Sequence, residues 1–284
     1  MTVTLLFAAL AVWLAIPFVP AVHEWLRKRD AAPLPLARAN AEDRRIAPVE
    51  AHSHPDRLDV EHADAARAGS DLWVTTAIAS HAAAGARVVA RRGAVLGGSA
   101  EAGGAVGLEP GARFERVHAP AVQTLRDDGA RRTPHPTATA TLPDRAETSG
   151  GRTLVRGDVS LAPDTFHDGD LVVRGRLTLG AGACVRGSVK ARRGIALGDA
   201  ARVTGNAVSG GDLDLAPDAT VGGAAIADGA LRLGRRAVVG RAGAATTATG
   251  ARVEVATGVC VFGTLWAREH GEVLVSDAPA VSQG

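Results

Sequence analysis

The sequence predicts an all-β fold, a β-solenoid, and three observations carry that prediction. From Val159 to Val239 the chain repeats every 18 residues, an apolar-x-apolar pair recurring as Val159/Leu161, Leu177/Leu179, Ile195/Leu197, Leu213/Leu215 and Leu231/Leu233. A valine stands eight residues into each of the last four units (Val185, Val203, Val221, Val239), with glycines at Gly187, Gly205 and Gly223. The hydrophobic content is 46%, yet there are 34 Gly, no Tyr, five Phe and one Met, and aromatics reach only 3%. A fixed short period makes each unit one coil that buries its apolar face only by stacking on its neighbours. Apolar residues alternating with polar or small ones have the period of a strand, and the glycines mark corners. A globular core of this size relies on aromatic area, whereas a narrow coil is filled by columns of Val, Leu, Ile and Ala. The expected columns are Leu177, Leu179, Val185, Ile195, Leu197, Val203, Leu213, Leu215, Val221, Leu231, Leu233 and Val239.

Taken in order, residues 1–26 read as a transmembrane anchor. Positions 3–22, VTLLFAALAVWLAIPFVPAV, are uncharged and long enough to cross about 30 Å as a helix. Pro17 and Pro20 kink or end that helix near its C-terminal side. A cleaved signal peptide is the competing reading, but no Lys or Arg precedes the apolar stretch. The basic cluster Arg27-Lys28-Arg29 follows it, and positive residues stay cytoplasmic. The expected location is therefore the bacterial inner membrane, single-pass, with the solenoid in the cytoplasm.

Residues 27–70, with Pro-rich and mixed-charge composition, read as a tether. Within 61–84 an Ala-rich stretch suits either a helix or, through Trp73, Val74 and Ile78, a cap on the first coil. Residues 71–126 carry N-terminal coils, because Val106-Gly-Leu108 and Phe114 take the places of Leu177-Thr-Leu179 and Val185. Residues 127–153 hold almost no large apolar side chain and read as a disordered insertion. The main solenoid follows over 154–276, with a tail at 277–284. After Leu231 the step lengthens to 22 and then 20 residues, through the polar loop GAATTATG. The count is about nine coils, or about 43 Å of rod at the strand spacing. Phe262, Leu265 and Trp266 bring large side chains to the last coil, which marks it as the expected surface for self-association.

Cys184 and Cys260 precede column valines four coils apart, about 19 Å along the stack, too far for an intramolecular disulfide. There is no P-loop, dinucleotide fingerprint, nucleophile elbow or H-E-x-x-H. His52, His54 and His62 lie in the tether without a Cys partner, so no metal is expected, and no cofactor. The formal net charge of +2 makes no demand for nucleic acid. Arg192, Arg193, Arg235 and Arg236 read as solvated corners or as a patch for an acidic partner.

The stretch GSVKARRGIALGDAARVTGNAVSGGDLDLAPDATVGG resembles the bactofilin family. The likeness rests on coils such as Ile195-Ala-Leu197, Asp199-Ala200-Ala201, then Val203-Thr-Gly205-Asn206-Ala207, and spans about 154–266, with a weaker match over 86–122. The resemblance implies a right-handed β-helix that polymerises end to end without nucleotide, lies along the cytoplasmic membrane face and positions envelope-building enzymes. The expectation is a non-enzymatic, membrane-anchored scaffold whose partners are itself, the membrane and envelope-synthesis proteins. The anchor, the insertion and the irregular last coils depart from the family pattern; the anchor fits membrane association by another route, and the other two favour a dimer or short oligomer through the C-terminal coils over a filament. Two competitors stay open. One is a membrane-tethered hexapeptide-repeat acyltransferase using His118 or His167; the other is an exported adhesin or polysaccharide-binding rod.

Overall fold

The computed structural model describes residues 57–124, 129–133, 135–143 and 146–275, all of which fall in one unit of the chain, Val49–Gly284. The expected span at 3–22, Arg27, Lys28 and Arg29, His52 and His54, and the tail at 277–284 lie outside these residues. No helix among the described residues is long and apolar enough to cross a membrane.

The described chain is all-β and forms a solenoid of about 12 turns, more than the sequence count, because the N-terminal part holds more coils than expected. Strands β1 (Arg57–Ala68), β2 (Asp71–Ala84), β3 (Arg87–Ala90), β4 (Val95–Ala102), β5 (Ala105–Leu108) and β6 (Arg113–Thr124) make an N-terminal block. Arg57–Ala68, inside the stretch expected to be a tether, is already solenoid coil, and the Ala-rich segment expected to be helix or cap is two strands joined by a bend at Gly69–Ser70. The cause is visible in the burial pattern. Val60 and Ala66 of β1 sit under Val74 and Ala82 of β2, all four buried, so small side chains suffice to fill a narrow coil.

A second block runs from β9 (Arg152–Val155) through β10 to β23, fourteen short strands between Val159 and Val239, to β24 (Thr246–Val255) and β25 (Cys260–Val273). Here the ladder is parallel and steps by 18: Leu177 lies on Ile195, Ile195 on Leu213 and Leu213 on Leu231. All twelve column residues named above are buried. Each coil contributes three stretches to three parallel ladders: one through Leu177/Leu179, a second through Val185, and a third through Val189/Ala191. Cys184, Arg202, Thr220, Val238 and Cys260 occupy one register position on successive coils, and both thiols are free.

One corner recurs as a left-handed residue: Asp164, Gly182, Ala200, Asp218 and Arg236 have φ of 53, 69, 54, 63 and 58°. Glycine takes this conformation without strain and the others do not. Each N–H there is instead spent on the next coil, as Gly182 to Asp199 O (2.8 Å) and Ala200 to Pro217 O (2.8 Å). Outward positions carry polar rungs: Arg232 bonds Asp214 at 2.8 Å on one neighbouring coil and reaches Glu254 at 3.3 Å on the other.

The two blocks do not stack in chain order. The last strand of the N-terminal block, β6, pairs antiparallel with β25, the last strand of the second block. Growing end therefore meets growing end, and the connection must run back along the whole second block. That connection is the stretch expected to be a disordered insertion. Its described residues instead form a strap with two short strands, β7 (Ala138–Thr139) and β8 (Ala146–Ser149). The strap is held because passing coils offer free backbone groups: Thr137 donates to Asp164 O at 3.0 Å and Ala140 to Phe166 O at 2.7 Å.

Candidate functional site

The features that distinguish this rod are its coil ends and its strap. At the junction the pairing covers three stretches: Cys260–Val261 against Val122–Gln123, Gly263–Trp266 against Arg116–Ala119, and Gly271–Glu272 against Arg113–Phe114. The ends are locked further by Thr124, whose hydroxyl donates to Ala256 O (2.8 Å) and accepts from Val259 N (3.0 Å). Val273 N donates to Ala112 O at 2.9 Å, and Gly111 N to Val273 O at 2.7 Å. Phe114 lies so close over Gly271 that a Cβ there would meet the ring at 2.5 Å. The contact is approximately like-to-like, since the third ladder of one block faces the third ladder of the other.

This arrangement corrects the expected self-association surface. Leu265 is 1% exposed and sandwiched between Ala248 and Val117. Phe262 is half-buried in a groove with Gln123, Thr124, Arg131, Arg236 and Cys260. Trp266 is 42% exposed, but it faces sideways with Arg116 5.9 Å from its ring. The end that the sequence left open is closed by the chain's own N-terminal block. Sequence reading placed Phe114 only as a column residue and missed Val117, Thr124 and Gly271, because no periodicity says which end of one block meets which end of another.

The strap is latched at the left-handed corner. Arg236 grips Asp218 with two bonds, Nε to Oδ1 at 2.8 Å and Nη2 to Oδ2 at 2.9 Å, and both side chains are nearly buried. Arg131 of the strap donates to Arg236 O and lies 3.9 Å from the same carboxylate, while Arg132 N reaches Oδ2 at 3.4 Å. The Arg236 bonds hold the Asp218 carboxyl below its ordinary range. Arg236, expected at a solvated corner or acidic-partner patch, is thus an internal strut.

At the far end of the second block the strap covers the first coil. Here β8 pairs antiparallel with β9, and β7 adds to β11 (Thr165–Asp168). Ala140, Leu142 and Ala146 pack on the core beneath. His167 points inward in that coil, 8% exposed, above Val185, and its Nε2 has no hydrogen-bond partner. Burial pushes its pKa down, with Asp168 opposing. His118 is exposed and bonded to Thr264 Oγ1 at 2.9 Å, and it lies far along the rod from His167. Burial raises both thiol pKa values, that of Cys184 and that of Cys260. Among the described residues no group of three His, Cys, Asp or Glu side chains converges as a metal site.

Fold and site together define a class: a two-block β-solenoid rod, one end of each block consumed in an internal junction. No protein-family model matches the chain, and neither a curated protein nor a solved structure does.

Proposed function

We propose that this chain is a non-enzymatic, membrane-anchored scaffold of the bactofilin kind, a right-handed coil that self-associates on the cytoplasmic face and positions envelope-building proteins. The observation that carries the reading is the β6–β25 junction. There the molecule joins two solenoid ends by antiparallel pairing, which is the operation an assembling rod performs between copies. The hydrophobic stretch at 3–22 and the cluster Arg27-Lys28-Arg29 support the anchor and its orientation. On one face of the rod the outward positions stack as Lys190, Val208 and Ile226, an open stripe suited to docking another surface rather than to holding a small substrate.

The test pairs topology with assembly. Alkaline phosphatase fused after Gly284 should be inactive while a cytoplasmic fluorescent reporter at the same place is bright. Membrane extracts should hold the protein above monomer mass. Active phosphatase, or a monomer in mild detergent at micromolar protein, refutes the reading.

A further inference from the structure

Among the described residues there are four coil ends, and they are not equivalent. Two are consumed in the junction, and a third is largely covered by the strap, where the edges left among the described residues are short: β10 (Val159–Leu161) and the outer sides of β7 and β8. The fourth is β1, twelve residues long, which pairs with β2 on one side and with nothing on the other among the described residues. A row of unpaired N–H and C=O groups of that length is a template for another strand.

The sequence of β1 is symmetric in the way a two-fold contact requires. Its inward positions are Leu58, Val60, Ala63, Ala66 and Ala68, each stacked on an inward residue of β2. They are disposed evenly about Ala63. If a second β1 runs antiparallel with Ala63 opposite Ala63, Leu58 meets Ala68 and Val60 meets Ala66, so apolar side chains stay on the core side in both copies. In the same register the exposed residues are complementary: Asp59 faces Arg67, Arg67 faces Asp59, and His62 faces Asp64. The backbone agrees. The carbonyls of Val60 and Asp64 are turned towards the second coil, accepting from Thr75 and Ser80 at 3.1 and 2.8 Å, and Ala68 O accepts from Gly85 N at 3.1 Å. Alternation along an extended strand then turns the N–H and C=O of Asp59 and Arg67 outward, where an antiparallel partner exchanges both bonds. The junction between β6 and β25 demonstrates that such ends of this coil can join antiparallel, three stretches against three.

Resting on the self-association reading, we propose that β1 is the docking strand for β1 of a second copy, antiparallel about Ala63, and that assembly closes at a two-fold dimer. Closure at two follows because one long edge per chain is used up by its own symmetric contact.

The experiment uses the full-length chain in mild detergent, followed by sedimentation velocity across a concentration series. The wild-type protein should be a dimer. Asp59→Arg places two arginines opposite each other twice per interface, and Arg67→Asp does the same with aspartates. Each variant should weaken association about tenfold or more while leaving the β-rich circular dichroism unchanged. Mixing the two variants sets an arginine opposite an aspartate at both contacts, so the mixture should recover a heterodimer. The Asp59→Arg/Arg67→Asp double variant exchanges the two charges within each chain and should recover a homodimer. A wild-type monomer overturns both this proposal and the self-association reading. A wild-type dimer that neither single variant weakens overturns the β1 contact and leaves self-association standing elsewhere. Variants that weaken association but are rescued neither by mixing nor by the double substitution overturn the register, and a wild-type polymer overturns closure at two.

Discussion

Replacing Leu265 by alanine tests the internal junction directly. Leu265 is 1% exposed, with Ala248 of β24 on one side and Val117 of β6 on the other. The void left by Leu→Ala at such a site costs about 2–5 kcal/mol, towards the upper part where the surroundings cannot collapse. Here collapse would require two stacked blocks to move together, which the Thr124 hydroxyl bonds and the backbone bonds of Val273 resist. At about 2–4 °C per kcal/mol for a rod of this size, a cost of about 3 kcal/mol lowers the melting midpoint by about 6–12 °C. Trp266→Ala is the internal control. That side chain is 42% exposed with Arg116 5.9 Å from its ring, so its loss should cost about 1 kcal/mol or less. The assay is thermal unfolding followed by far-ultraviolet circular dichroism, with both variants beside the parent. Midpoints for the two variants that fall together, or a Leu265→Ala midpoint within about 2 °C of the parent, would mean that the last coil is an open end after all.

Three other outcomes are expected. Leu215→Asp sets an unpaired charge in a dry column, where Leu215 is 2% exposed, costing several kcal/mol; purified protein that melts like the parent refutes the column register. Asp218→Asn removes the charge that grips Arg236 and faces Arg131, costing about 1–3 kcal/mol, and trypsin should then cut the strap at Arg131 or Arg132 faster than in the parent. Because the native Asp218 pKa is depressed, its contribution is complete above about pH 4 and is lost as the pH falls below that, so the variant should show less acid destabilisation. His167→Leu removes a buried nitrogen that has no partner. The folded His167 pKa lies below its unfolded value, so the parent is at full stability above about pH 6.5 and loses stability as pH falls. The leucine variant should flatten the melting midpoint between pH 7 and 5, and an unchanged slope would count against a buried neutral histidine.

The 18-residue step made the second block legible in detail, down to the shared position of Cys184 and Cys260. It did so because every coil there must present the same apolar residues to the same columns. The first coils escaped that logic. Between β1 and β2 the partners are 14 residues apart at Arg57–Asp71 and 16 apart at Ala68–Ala84, with alanines where the later coils have leucines. A period is not seen when both its length and its side chains drift. The strap escaped for a different reason. Its hold is a handful of backbone bonds, one arginine and the scattered side chains Ala140, Leu142 and Ala146, which together leave no periodic hydrophobic pattern. The direction of the junction left no local trace either, since Phe114 reads as an ordinary column residue and Leu265 as part of an open end until they are placed against Gly271 and Val117.

The fold-back also has a consequence in time. Gln123 of β6 meets Cys260 of β25 across 137 residues of sequence. At about 5–20 residues per second, a ribosome needs roughly 7–27 s between making the two. During that interval the N-terminal block is already built and its lower face, with Phe114, Val117 and Val122, waits uncovered for a strand that has not been made. A chain interrupted before Cys260 carries that bare face, whereas one that reaches Val273 conceals the face within itself. The junction thus works as a seal on finished synthesis, and an unsealed product is the form that proteases and chaperones would meet.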